Sequence, residues 1–419
     1  MQVSLPTLQN WSCHNCSGCC RQHLIEVTEE ERQRILAQNW TAADGVPADR
    51  PVLVPFGPPW NKRYRLGHQS DGACVFLDEN GLCRIHAKHG EAAKPLPCRI
   101  YPYAFHPARK GVVVSLRFSC PSVVGNQGRA VGQQAKELRQ YAKAVVPQQA
   151  RSLPPPGISR SGHVDWADFD RFVQALDRTL AEEGPSLLAK LLRSLFWINL
   201  VEQATFDQVK GARLYEFLGL ITEAAASEFS DDPVDLGPPG KLSCTQFRMM
   251  VARYARKDTL VDVESGLSGR LKLLAAAIRF ARGRGNVPPL QPEFKEVPFT
   301  QLEQSFGPIP AEAQEILTRY FRVKIQGHHF CGRAYFDFPL VDGFRSLVLV
   351  YPAVLWLARL LAASDDRSTL RTSDVASALA IADHTHAYSP ALGTSNARRR
   401  VHTMARLGDI EKLCAWYSR

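Results

Sequence analysis

The feature that most constrains this chain is the position of its cysteines. The chain has 419 residues and eleven cysteines, of which only Cys244, Cys331 and Cys414 lie beyond residue 120. Isolated cysteines in helical sequence are mostly small buried hydrophobic residues, and we assign these three to the core. The others fall in the first 120 residues, which are therefore predicted to form a cysteine-ligated metal site. These cysteines are Cys13, Cys16, Cys19, Cys20, Cys74, Cys83, Cys98 and Cys120.

The first four cysteines form the run Cys13-His-Asn-Cys16-Ser-Gly-Cys19-Cys20. Two residues between thiolates let a tight turn aim successive sulfurs at one ion or cluster. Gly18 suits such a turn because glycine adopts positive φ without strain. Buried structural thiols do not usually cluster at this spacing. Disulfides are disfavoured because the N-terminus lacks the pattern of an export signal, which predicts a reducing compartment.

Cys74 and Cys83 lie on either side of an Asn80-Gly81 dipeptide. This dipeptide between apolar runs predicts a β-hairpin, which would bring the two thiols close together. His86 follows Cys83 by three residues, a spacing that also occurs in Cys/His zinc sites. A structural role, or one in orienting the ligands, is the favoured hypothesis for this histidine.

The last two cysteines of the segment lie in different contexts. Cys98 has prolines on both sides, which predicts a stiff, non-helical stretch that presents the thiol. The run from Val112 to Phe118 is rich in β-branched residues and predicts a strand that delivers Cys120 at its end. Metal ligands are therefore expected from four separate parts of this segment.

These spacings, together with several other positions, resemble the YkgJ-type cysteine-cluster family, which is described as zinc- or iron-chelating. The resemblance extends over residues 10–121, and it implies that the eight cysteines of the segment are the metal ligands. The residues that carry it are Cys13-x2-Cys16-x2-Cys19-Cys20, Cys74-x-Phe76-Leu77, Cys83-x-Ile85-His86 and Lys94-Pro95-x2-Cys98-Arg99-x-Tyr101-Pro102.

A cysteine-cluster segment followed by some 300 mostly helical residues also resembles the flagellin lysine N-methylases, or FliB-like proteins. That resemblance implies an iron–sulfur cluster, S-adenosylmethionine as cofactor and a protein substrate such as flagellin. No strand–GxGxxG–helix unit is present, so a Rossmann-type cofactor domain is not predicted. Catalytic and S-adenosylmethionine-binding residues stay unassigned. The alternative hypothesis is a non-enzymatic, metal-stapled protein-interaction module.

Zinc and iron–sulfur remain alternatives. Eight cysteines would divide into two four-ligand zinc sites. The run Cys13-x2-Cys16-x2-Cys19 is closer to the C-x2-C-x2-C approach to a [4Fe–4S] cluster, whose fourth ligand comes from elsewhere. We therefore favour iron–sulfur. The spacing differs from the C-x3-C-x2-C pattern of radical enzymes, so radical chemistry is not predicted.

The remaining sequence predicts an α-rich (α+β) protein. We divide it into a loop and hairpin metal module (1–125), a helix with a Pro/Gln-rich linker (126–163) and a mainly helical domain (164–419). Apolar residues recur at helical spacing from Val164 onward, which indicates a helical core. The histidines at 328, 329, 384 and 386 lack partners at ligand spacing and are predicted to lie at the surface or at helix ends.

Charge and hydropathy bear on partners and compartment. The net charge of +10 is spread along the chain, which favours a solvated basic surface over a nucleic-acid partner. The longest apolar stretch, Ser346 to Ala358, has thirteen residues, fewer than the ~18 of a membrane span. It is predicted to be a buried helix that is bent or begins at Pro352. A cytoplasmic protein without membrane association is expected.

Overall fold

A computed structural model describes residues 2–109, 111–160, 162–229, 236–256 and 266–419. It has two small three-stranded sheets near the N-terminus, followed by a mostly helical region, which confirms the predicted α-rich α+β class. The strands are β1 (Gln2–Ser4), β2 (Glu26–Val27), β3 (Leu53–Phe56), β4 (Arg63–Leu66), β5 (Tyr103–Ala108) and β6 (Gly111–Leu116).

The helices of the N-terminal third are short and lie between these strands or after them. Those of the C-terminal two thirds are mostly longer. The first group comprises α1 (Gly18–Gln22), α2 (Glu29–Ala37), α3 (Arg84–His89), α4 (Leu96–Ile100), α5 (Pro121–Val124) and α6 (Ala135–Val145). The second comprises α7 (Trp166–Ala181), α8 (Leu187–Gln203), α9 (Ala212–Glu228), α10 (Lys241–Ala255), α11 (Gly266–Arg282), α12 (Phe299–Leu302), α13 (Ala311–Gln326), α14 (Leu340–Val348), α15 (Val350–Ser364), α16 (Thr372–Thr385), α17 (Ser395–Arg406) and α18 (Asp409–Tyr417).

The two sheets belong to different hydrophobic cores. One has the order β1-β6-β5, with β1 parallel to β6 and β5 antiparallel to it, Tyr103 opposite Leu116. The other has the order β2-β4-β3 and is antiparallel, with Leu53 opposite Leu66. The strand predicted from Val112 to Phe118 is β6, which ends two residues earlier at Leu116, and the chain then reaches Cys120 at the start of α5.

Two hydrophobic cores result. The larger one extends from the β5–β6 hairpin through most of the helical region. The smaller one has nine buried residues, enough for only a marginal core, and small domains with so little buried area usually need a metal or disulfides. Its buried members are Val27, Ile35, Val46, Leu53, Leu66, Cys74, Val75, Phe76 and Ile85.

The apolar stretch around Pro352 forms the centre of the larger core. Among the described residues, the segment Leu340–Ser364 is long and apolar enough to cross a membrane by length and composition, yet 94% of its most apolar window is buried inside the protein. This confirms the prediction of a buried helix. Pro352 lies in the first turn of α15, where its missing N–H leaves no helical hydrogen bond unmade.

The Pro/Gln-rich segment lies against the helical region. The amide of Leu340 donates to the carbonyl of Gly157 (2.8 Å), and the amide of Val341 donates to that of Ile158 (3.0 Å). The Ile158 side chain is fully buried in the larger core. The chain thus continues from the cysteine-rich segment into the helices along a packed path.

Candidate metal centre

The first four cysteines are placed by two residues with left-handed backbone. Asn15 and Ser17 have φ values of 52° and 53°, and Ser17 directly precedes α1. Gly18, which we expected to supply the positive φ, is instead the first residue of α1. Asparagine tolerates this conformation because its side chain bonds locally. Helix α1 then presents Cys19 and Cys20, whose sulfurs lie 4.0 Å apart.

The turn between Cys74 and Cys83 has the predicted centre but lacks the predicted strands. Gly81 has φ +77°, and a Cβ there would lie 2.8 Å from the carbonyl oxygen of Asn15, so glycine lets the turn approach the first cysteines. Leu77 and Cys83 form only an isolated bridge. The hairpin prediction was wrong because the chain enters α3 immediately after Cys83, which occupies the N-cap.

Cys98 lies in a helix, so the prediction of a non-helical stretch was wrong. Pro95 is the N-cap of α4, and Pro97 is its second residue. The first-turn amides of a helix have no intrahelical acceptor, so proline is tolerated there. The amide of Leu96 donates instead to the Glu31 carboxylate (2.6 Å). This bond joins α4 to α2, and it fixes the start of the helix that carries Cys98.

The structure brings Cys19, Cys74, Cys83 and Cys98 together. The charges of Cys98, Cys83 and Cys19 each raise the pKa of the Cys74 thiol, and those of Cys83 and Cys19 raise that of Cys98. Cys20 is joined to this group because its carbonyl accepts the Cys74 amide (2.8 Å). We refer to Cys19, Cys74, Cys83 and Cys98 as the four-thiol group.

The thiols of Cys19, Cys74 and Cys98 have raised pKa values, so they are poor anions unless a cation accompanies them. The pKa of Cys19 is raised mainly by its hydrogen bond with Cys20 and then by burial. Burial is the main cause of the raised pKa of Cys74, and it raises that of Cys98 to about 12. The charge of Lys94 partly offsets the rise in the pKa of Cys19 and of Cys98. A metal ion or cluster would replace the thiol protons and offset the desolvation of the thiolates.

Of the other cysteines of the segment, Cys120 lies in the larger core and Cys20 packs against the smaller one. Cys120 is buried, and the charge of Cys16 contributes to raising its pKa, although burial is the main cause. A Cβ at Gly18 would lie 3.6 Å from the Cys16 sulfur and 3.8 Å from Pro121, so the loop of Cys16 lies against the start of α5. Cys13 is exposed, with its sulfur 3.7 Å from the Asn15 amide oxygen.

The three predicted core cysteines differ in burial, and His86 lies at the surface. Cys331 and Cys414 are buried as expected, whereas Cys244 is only partly buried. His86 is exposed on α3.

Within the described ranges, Glu202, Asp342 and His402 place ligand atoms within 4.8 Å of one another. Arginines already contact this trio, because Arg345 pairs with Glu202 and Arg160 lies 2.7 Å from His402.

Sequence reasoning missed a buried ion pair directly behind Cys120. Lys324 of α13 and Asp383 of α16 are fully buried, with 2.7 Å between Nζ and Oδ1. Lys324 also donates to the carbonyl of Leu116 (3.0 Å), and the amide of Ser119 donates to Asp383 (3.1 Å). The pair therefore joins two helices to the chain that connects β6 to Cys120. A lone lysine and a lone aspartate on amphipathic helices give no signal of this role.

The four histidines lie at helix ends, one of the two predicted locations, but His328, His329 and His386 are buried. His329 and His386 are fully buried and His328 nearly so, because the helix ends that carry them pack against the β5–β6 sheet and α10. His329 Nδ1 lies 3.3 Å from Lys324 Nζ. His384 stacks on His23, the residue after α1, with 5.0 Å between ring centroids. The metal module and the helical region therefore meet at a polar, histidine-rich junction.

The gathered thiols, beside a core too small to rely on apolar burial, define this part of the chain as a metal-chelating module. Residues 12–121 match the family model CxxCxxCC, described as a "Putative zinc- or iron-chelating domain". The prediction of a cysteine-cluster metal-binding domain is thereby confirmed, and the metal type is not resolved by the family.

Relatives match over the same part of the chain. The chain is 29% identical over 115 residues to a Lysine-N-methylase of Salmonella choleraesuis and 28% identical to one of Salmonella typhimurium. It is 27% identical to the Flagellar biosynthetic protein FliU of Salmonella muenchen. The matches cover 26% of this chain, and they span 28% of the two lysine-N-methylases and 68% of FliU. No solved structure matches the chain.

Proposed function

We propose that the four-thiol group holds an iron–sulfur cluster. The donor set fits, since it consists of four converging cysteines beside a core of only nine buried residues, and the thiol pKa values of Cys19, Cys74 and Cys98 are raised. A [4Fe–4S] cluster takes four cysteine ligands, and the four-thiol group supplies that number.

Anaerobic purification with metal analysis tests this proposal. We expect a brown protein that contains iron and acid-labile sulfide, with broad visible absorption that bleaches on oxidation. A colourless protein with one or two tightly bound zinc ions per chain would contradict the cluster and support structural zinc.

We further propose that the chain is an S-adenosylmethionine-dependent protein-lysine N-methyltransferase. The observation that carries this proposal is the similarity of the metal module to lysine-N-methylases. A cluster held by four cysteines has no open coordination position, so when bound it would supply a structural or electronic contribution. The chain's own residues would bind the lysine and remove its proton.

Methyl transfer provides the test. The anaerobically purified protein, labelled S-adenosylmethionine and flagellin should give label on flagellin lysines, identified by mass spectrometry. Flagellin with the modified lysines changed to arginine is the matched control and should stay unlabelled. Absence of transfer to flagellin and to a total lysate would contradict the enzymatic proposal and leave metal-dependent protein binding.

A second function, protein binding by the module, is favoured by one surface feature. Trp60 lies between β3 and β4 and is 87% exposed. Lys62 and Arg63 follow it, and Arg63 stacks on Phe56 at 4.7 Å. Exposed tryptophan beside arginine is typical of interaction hot spots. This surface would suit an acidic protein partner.

Replacing Trp60 by alanine separates the two functions. An exposed side chain contributes little to the fold, so we expect an unchanged melting temperature. If the module acts by binding an acidic protein partner, its affinity for that partner should fall by about 30-fold, the loss of a hot-spot contact. Unchanged affinity would remove Trp60 from the interface.

A further inference from the structure

A cleft of about 680 Å³ lies between strand β1 and helix α7. Its volume falls within the range of about 300–1,000 Å³ that is usual for ligand sites. The β1 side chains that line it, Gln2 and Ser4, are exposed, so the cleft opens to solvent along the strand. None of the eight cysteines of the metal module lines it. The cleft is therefore a separate place from the four-thiol group.

The wall that β1 forms has a free main-chain edge. The sheet order β1-β6-β5 leaves β1 with one strand neighbour among the described residues. Pro107 of β5 lies opposite Val112 of β6, and because proline has no N–H, the main-chain groups of this pair point away from each other. Val112 therefore bonds toward β1, and Val3, which lies opposite it, points its own N–H and C=O away from β6. These two groups can pair with another strand.

One nearly buried side chain in the cleft has no hydrogen-bond partner. His328 lines the cleft and is only 7% exposed, with its ring packed against Trp166 and Phe169. No described residue hydrogen-bonds its ring nitrogens, and burial alone lowers its pKa to about 4. The neutral ring offers one donor and one acceptor. Buried polar groups nearly always have partners, so a partner for His328 must come from the cleft.

The cleft also contains a carboxylate that has no cation beside it. Asp170 of α7 is half-buried, and no described residue hydrogen-bonds it or forms an ion pair with it. Burial is the main cause of its raised pKa, and the charge of Arg109 offsets that rise only in part. The other carboxylate of the cleft, Asp177, is already paired with Arg322 at 2.8 Å. Asp170 is therefore the group that can bind a cation, since a nearby opposite charge favours its ionised form.

The arginines that line the cleft do not exclude a basic guest. Arg109 and Arg178 are both exposed. The Arg178 guanidinium lies over the ring of Tyr215, 5.5 Å from its centroid. Exposed charges are screened by salt more strongly than partly buried ones. Their repulsion of a basic side chain is therefore weaker than the attraction of the half-buried Asp170.

We propose that the cleft binds an extended segment of a protein partner, which adds to β1 as a further strand and pairs a lysine or arginine with Asp170. In strand addition, main-chain hydrogen bonds give affinity and pockets for alternate side chains give specificity. A peptide amide both donates and accepts, so it matches the free groups of Val3 and the ring of His328. The inference goes beyond the proposed functions and does not depend on methyl transfer.

Selection from a displayed library of short random peptides, on the metal-loaded full chain, tests the cleft. We expect the selected peptides to share one lysine or arginine among residues that favour strands. Asp170→Asn should weaken binding of a synthesised peptide by about 10-fold, the loss of one charge-assisted hydrogen bond, as measured by fluorescence anisotropy. The matched control is Asp207→Asn, which changes an exposed carboxylate outside the cleft and should bind the peptide like the wild type.

N-methylation of the peptide tests strand pairing itself. Alternate amides of an added strand face β1, so blocking one of these should weaken binding by about 10-fold, and blocking an amide between them should leave the affinity unchanged. The inference is overturned if no peptide is selected, if the two aspartate variants bind equally well, or if N-methylation acts without this alternation. A dimer of the chain that Asp170→Asn abolishes would assign the cleft to a second copy instead. Peptide binding without any methyl transfer would contradict the methyltransferase proposal alone.

Discussion

Replacing Cys83 by serine is expected to lower the bound metal by more than about 10-fold. Changing a residue that only orients a metal ligand already lowers metal affinity by about 10-fold or more, and Cys83 is proposed as a ligand itself. Cys83 belongs to the four-thiol group, and its loss leaves three thiolates. The substitution should not disturb the local helix, because Cys83 is the N-cap of α3 and makes no side-chain capping bond there. Serine is among the best N-cap residues, so α3 should begin as before.

Metal content per chain, measured by mass spectrometry after anaerobic purification, checks this result. Cys244→Ser is the matched control, because Cys244 lies in α10 and its sulfur is 3.6 Å from the carbonyl of Pro239. A serine hydroxyl can donate to the same carbonyl. Full metal content in Cys83→Ser, or equal loss in both variants, would contradict the assignment of the four-thiol group.

Metal loss should unfold the smaller core and leave the larger one. The smaller core has only nine buried residues, and the folding free energy of such modules comes largely from the metal. Hydrogen exchange should therefore show lost protection at Val75 and Phe76 in Cys83→Ser, with protection retained at Leu355 in the larger core. Equal loss of protection at all three would mean that the two cores unfold together.

Local signals in the sequence were sufficient for the module and for most helices. The cysteine spacings and the Asn80-Gly81 turn are short-range features, and the structure places the turn against the first cysteines through Gly81. The apolar residues at helical spacing from Val164 onward lie in the helices that begin with α7. These features could be predicted because each depends on residues that are neighbours in the chain.

The errors in the module came from proline and glycine, each of which fits more than one local structure. Pro97 was interpreted as excluding a helix, but proline is compatible with the first turn, and α4 includes it there. Gly18 was expected to adopt positive φ, yet Asn15 and Ser17 do so. The choice between such alternatives is made by packing, as when Glu31 receives the Leu96 amide across 65 residues.

The polar junction could not be predicted, because its contacts join distant parts of the chain. Lys324 and the Leu116 carbonyl are 208 residues apart, and Ser119 and Asp383 are 264 apart. In sequence, each of these residues is one polar position on an amphipathic helix or strand. The histidines around them have the same ordinary appearance. Only the tertiary fold shows that they are buried together beside the metal module.

Acid is expected to destabilise the protein through these histidines. Burial lowers the pKa of His386 to about 3 and that of His328 to about 4. Unfolded histidine has a pKa of about 6.5, so near pH 5 the unfolded chain binds protons that the folded chain does not. Stability is therefore full above pH 6.5 and is lost as the pH falls toward the folded pKa values. Each of these two residues should remove about 2 kcal/mol between pH 7 and pH 5.

His386→Phe isolates one of these contributions. The variant loses the contact with the Tyr254 hydroxyl and is expected to be less stable at pH 7, but its free energy of unfolding should fall by about 2 kcal/mol less than that of the wild type on going to pH 5. Denaturant unfolding at the two pH values measures the difference. Acid effects on the metal site occur in both proteins and cancel in this comparison.

His163→Gln changes an exposed histidine and is the control. Its free energy of unfolding should fall between pH 7 and pH 5 by as much as that of the wild type. The same acid loss in His386→Phe as in the wild type would mean that His386 is protonated inside the fold at pH 5.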